Sequence, residues 1–230
     1  MTDRDSGSDR DERDVPSASV AITAGAALFN EGRFLAASGA WGSGGRPPDD
    51  DGDAERDGDR DAADVERLRR GLAAAATATH RAADGDDSGA AERAADAVAA
   101  LTGVSDSRGV ALASVREWAE KLAAASTDAD AGSAPRIRVD DETPAFGRLS
   151  LAAAGVAAPA LARAGEPGDP QVLATAAEFA REERGTGRTE FAELLFAYLR
   201  TPDARPQVAA RLGDHVEREA RKRRDVDGLF

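Results

Sequence analysis

Residues 62–83, AADVERLRRGLAAAATATHRAA, place Val65, Leu68, Leu72, Ala75, Ala76 and Thr79 at intervals of three and four. Such spacing gathers the six side chains on one face of a helix and has no counterpart in a strand, where alternate residues share a face. The stripe contains as much alanine as leucine. Across the chain Leu, Ile, Val and Phe make up only about 17% of residues, below the roughly 20% at which a sequence risks remaining unfolded. Alanine lets helices approach closely, but each buried methyl removes little area from water at about 25 cal/mol per Å². The expectation is a close-packed helical protein with a thin core.

The same period recurs. From Ser17, Val20, Ala24, Ala27 and Leu28 share a face, Gly32 interrupts, and a second helix runs from about Arg33 to Trp41. Gly32 suits the left-handed residue that closes the first helix of an αα-hairpin, with Phe34 packing back. Further helices are expected at Ala62–Ala83, Ala90–Leu101 and Val110–Ala125. In APRIRVDDETP the Ile137, Val139 alternation predicts an extended crossing segment, and Pro159 predicts that Leu149–Ala164 is divided into short helices. Asp169-Pro170 is a start signal, Asp as N-cap and Pro in the first turn, for a helix to about Arg184. Phe191, Leu194, Leu195, Tyr198 and Leu199 form the next apolar face, and Pro206 opens a last helix to about Arg224. The fold class is all-α, built of antiparallel helical hairpins. Residues 1–16 and the linker 43–61 are acidic and rich in Gly, Pro or Ser, and are expected to be disordered. The resulting division is a hairpin domain at 17–125 and a C-terminal helical extension at 126–230.

Charge narrows the function classes. The formal net charge is −13, and of 30 basic residues only Lys121 and Lys222 are Lys. That balance argues against nucleic acid, whose affinity rests on neutralised phosphates, and it matches halophilic proteins, where salt screens self-repulsion. There is no Cys, which removes disulfides, thiol nucleophiles and Cys-ligated metal. No apolar run is long enough for a membrane span, so the expected location is the cytoplasm, without membrane attachment.

LFNEGRFLAA with Trp41, and RLRRGLAAAATATH downstream, resemble the domain-of-unknown-function 309 family, particularly its halophilic archaeal members. Leu28, Phe29, Asn30, Gly32, Phe34, Ala37 and Trp41 match its first hairpin, and Gly71, Leu72, Ala75, Ala76 and His80 match its later helix. The resemblance covers roughly Ser17 to Ala125 and implies a tetratricopeptide-like bundle of unknown activity, with Asn30, Trp41 and His80 as binding residues. The departures fall on polar positions. Ser38 stands where the family has His, Gly39 and Gly42 where it has Glu, and Arg70 and Ala74 where it has Gln.

Other candidate motifs read more simply as structure. Ser38 follows a helical run, whereas a nucleophile elbow follows a strand, and GSGG at 42–45 lacks the Lys of a phosphate loop. His80 and His215 each lack the three or four converging ligands of a metal site. The basic run at 217–224 suits a helix C-terminus. No catalytic residue, metal or cofactor is assigned. The expected function is a non-catalytic scaffold for a protein or peptide partner; the alternative is a small-molecule or metal-binding domain, possibly enzymatic, centred on Asn30, Trp41 and His80.

Overall fold

A computed structural model describes residues 18–42, 57–104, 109–124, 133–184, 187 and 189–227. The expected disorder of 1–16 lies outside the described residues, as does most of the linker. The described residues form an all-α bundle: α1 (Ala18–Asn30), α2 (Phe34–Gly42), α3 (Asp57–Ala83), α4 (Asp87–Leu101), α5 (Ala113–Ala123), α6 (Leu151–Arg163), α7 (Pro170–Glu182), α8 (Glu190–Arg200) and α9 (Arg205–Asp227).

Local chemistry explains most boundaries. Gly32 takes φ +72°, and the Arg33 amide donates back to the Leu28 carbonyl at 2.8 Å, closing α1 as the sequence predicts. Asp86 accepts from the Gly89 amide at 2.9 Å to start α4, and Asp169 accepts from the Gln171 amide at 2.7 Å to start α7. Two expectations are corrected. α3 begins at Asp57, so residues 57–61 belong to a helix and not to the linker. α6 is one helix through Pro159. The proline withholds one amide from the Gly155 carbonyl, and packing of α6 against α1, α2, α7 and α8 holds the helix in one piece.

The extended crossing segment is present. Val139 bridges Val110 and Glu142, and Asp140 and Asp141 take left-handed conformations at the turn between them. Val110 therefore precedes α5 instead of starting it.

One buried cluster runs from Ile22 in α1 to Leu212 in α9, so the two halves of the chain share a core. Small residues set the helix spacing. A side chain at Gly25 would collide with the Trp41 indole, and one at Gly71 would come within 2.5 Å of Leu101. These glycines let α1 approach α2 and α3 approach α4. At the opposite end Glu166 holds Arg33 and Arg205, each at 2.8 Å, which ties the α1–α2 turn to the α6–α7 and α8–α9 turns.

Candidate functional site

The three residues singled out by resemblance have separate structural partners. Asn30, half-buried at the end of α1, accepts from the Ile137 amide at 2.7 Å and donates to the Ile137 and Pro144 carbonyls, each at 3.0 Å. Its side-chain amide serves as a backbone clamp on the crossing segment. Trp41 is 1% exposed; its indole nitrogen donates to the Ile22 carbonyl at 3.3 Å and its ring packs 6.3 Å from Phe29. His80 lies on the far part of α3 with Nε2 3.5 Å from Asp84 Oδ2, an i,i+4 pair at the surface. Among the described residues no group of three His, Cys, Asp or Glu is placed to hold a metal ion, and no helix is long and apolar enough to cross a membrane. Trp118 is also in the core, its indole donating to Thr79 Oγ1 at 2.9 Å.

Of the five positions that depart from the resembled pattern, Ser38, Gly39, Gly42, Arg70 and Ala74, three come together. Ser38, Arg70 and Ala74 line one open groove of about 740 Å³ formed by α2, α3 and α4. Its floor is small: Ala73, Ala74 and Thr77 from α3, with Ala100 from α4, and Ala99 lies exposed at its edge. Thr77 donates its hydroxyl to the Ala73 carbonyl at 2.9 Å, so in its 2.8 Å contact with Ser38 the serine is the donor. Among the described residues neither hydroxyl is hydrogen-bonded to a His, Asp or Glu.

The rim is basic. Arg67, Arg70, Arg81 and Arg93 line the groove against one acid, Asp96. Arg67, Arg70, Ala74, Thr77 and Arg81 repeat at intervals of three and four along α3, and the antiparallel α4 brings Arg93 to the Arg81 end. Arg67 pairs with Asp64, Arg93 with Asp96 at 2.9 Å, and Arg81 with Asp86 at 3.6 Å. Arg70 has no carboxylate partner among the described residues. The adjacent Arg69, 7% exposed, donates Nη2 to the Trp41 carbonyl at 2.7 Å and caps the C-terminal end of α2.

Sequence reasoning missed the groove because its arginines belong to two helices. The α3 stripe was available as a second face of residues 62–83, offset from the apolar stripe. The contribution of α4 was not, since it depends on the register that Gly71 and Leu101 set.

No protein-family model, curated protein or solved structure matches the chain in comparisons with each.

Proposed function

We propose that this protein is a non-catalytic helical scaffold that docks a segment of a partner protein in the groove of α2, α3 and α4. The carrying observation is the groove itself. It extends along α3 from Arg67 to Arg81, about 21 Å at 1.5 Å per residue, and is open along its length. That is the shape of a helix- or peptide-binding groove. Small ligands, in contrast, are usually enclosed on most of their surface. The separate structural partners of Asn30, Trp41 and His80 favour the scaffold over a small-molecule centre at those three residues. The resemblance to the domain-of-unknown-function 309 family fits the same reading, since three of the five changed positions, Ser38, Arg70 and Ala74, line the groove.

The absence of Cys gives a direct test. Ala99→Cys, labelled with a photocrosslinker, should capture a protein from an extract of the cells that make this chain. Once purified, that protein should bind the unlabelled chain at one-to-one stoichiometry, and Ala74→Trp, which fills the floor, should abolish binding. A captured protein that binds the Ala74→Trp chain equally well would refute the docking site. So would turnover of a small molecule blocked by the same substitution.

A further inference from the structure

We infer that the segment docked in this groove is an acidic stretch of a partner protein, with carboxylates at its two ends and small or aliphatic residues between. The inference rests on the docking reading above and specifies its partner. Arg67 and Arg70 stand at one end of the alanine floor, and Arg81 and Arg93 at the other. From Arg70 to Arg81 is 11 residues of helix, about 16 Å. A guanidinium binds a carboxylate through two parallel hydrogen bonds, so the groove presents two anchoring points at fixed separation with a span of mostly small residues between them, Asp96 being the one acid of the lining.

The existing partners of these arginines do not block the exchange. Asp64, Asp86 and Asp96 form short-range pairs at the exposed surface, of a kind worth about 0–1 kcal/mol. An incoming carboxylate can replace or share them at little cost, and Arg70 has no such pair to give up among the described residues. The net charge of −13 repels any anion at long range. At 0.15 M salt, however, the Debye length is about 8 Å, half the distance between the two arginine pairs, so the local guanidiniums decide binding.

The same features disfavour nucleic acid. A single strand carries charge along its whole length and binds by stacking its bases on aromatic rings, whereas the lining here holds no aromatic ring, its arginines sit at the two ends, and the one acid, Asp96, lies between them. A carboxylate-ended peptide matches both the floor and the ends.

The test uses the full chain and three probes measured by calorimetry in 0.15 M salt. One is a synthetic helical peptide of about 16 residues with two Glu at each end around an Ala/Leu centre. The second has the same composition with the four Glu gathered in the middle, and the third is an oligothymidylate of similar length. The first peptide should bind, the second at least about tenfold more weakly, and the oligonucleotide more weakly than either. Arg70→Glu with Arg81→Glu should reduce binding of the first peptide at least about tenfold and should bind its Lys-ended counterpart, a gain that an unfolded variant would not show. Equal binding of the two acidic peptides, preference for the oligonucleotide, or failure of the charge swap would overturn the inference. A tenfold gain on removing residues 1–17 would also overturn it, by assigning the groove to the chain's own acidic tail. If the crosslinked partner is lost on Ala74→Trp but indifferent to Arg70→Glu with Arg81→Glu, the acidic chemistry fails and the docking site stands. If it is indifferent to Ala74→Trp, the docking site itself fails.

Discussion

Asn30 holds Ile137 by both of its backbone polar groups, accepting from its amide at 2.7 Å and donating to its carbonyl at 3.0 Å, across 107 residues of chain. A side chain here does what a neighbouring strand does in a sheet, and a third bond to the Pro144 carbonyl extends the clamp. Removing it leaves three partly buried backbone groups without partners. At about 1 kcal/mol for each bond, Asn30→Ala should cost about 3 kcal/mol in urea denaturation. Asn30→Asp should cost at least as much at neutral pH, because a carboxylate oxygen would face two carbonyls. A loss under about 1 kcal/mol in both variants would show that the crossing segment holds itself.

Two glycines in the first hairpin should respond in opposite directions. A methyl at Gly25 meets the Trp41 indole, which is buried and cannot withdraw, so Gly25→Ala should destabilise by about 1–3 kcal/mol. Gly39 lies inside α2 with nothing near an added methyl, and Gly39→Ala should stabilise by about 0.5–1 kcal/mol through helix propensity alone. Melting temperatures of the two variants, moving down and up respectively, are the check.

Tyr198, the chain's single tyrosine, is fully buried and donates its hydroxyl to the Pro167 carbonyl at 2.7 Å. Burial pushes its phenol up to about 12, with nearby Arg205 opposing that shift. The unfolded phenol ionises near 10. Between pH 10 and 12 the folded state therefore holds a proton that the unfolded state has lost, so stability falls as pH rises through that window, by up to about 1.4 kcal/mol per unit. Below pH 10 this contribution is fully present. Phenolate absorbance of the native chain should rise only near pH 12, and Tyr198→Phe should remove this part of the alkaline slope. An unchanged slope would assign the alkaline loss to other groups.

Arg205, 1% exposed, depends on Glu166 for its charge partner and on the Tyr198 and Leu199 carbonyls for its other bonds. Glu166→Gln leaves that buried guanidinium uncompensated and should cost about 3 kcal/mol. Adding Arg205→Met should restore part of the loss, because the buried charge is then gone. Arg33, whose side chain is 40% exposed, should matter much less. A double variant less stable than Glu166→Gln alone would show that the carbonyl contacts of Arg205 outweigh its charge.

What could be read from the sequence followed from local rules. Gly32 ending α1, Asp169-Pro170 starting α7, the Leu68–Leu72 stripe of α3 and the extended run at Ile137 each depend on a few neighbouring residues, and each is found in place. The features that define the site depend on distant ones. Nothing near Asn30 shows that its partner is Ile137, nothing near Arg69 that it caps α2, and nothing near Arg93 that it shares a groove with Arg81. Pro159 shows the converse, a correct local preference outvoted by packing on several sides of α6.

The Asn30 clamp also orders events during synthesis. At about 5–20 residues per second, roughly 5–20 s separate the making of Asn30 from that of Ile137. Through that interval the first hairpin waits at the ribosome with its amide open and without α6 against it. Its large rings are already occupied, Phe29 packing on Phe34 at 5.0 Å and on Trp41 at 6.3 Å, while Ala24, Ala26, Ala27, Ala36, Ala37 and Ala40 supply much of the rest of its buried surface. Small methyls offer a neighbouring nascent chain little to grip. The alanine that thins the finished core thus also limits the apolar surface that the unfinished hairpin exposes before its partner helix arrives.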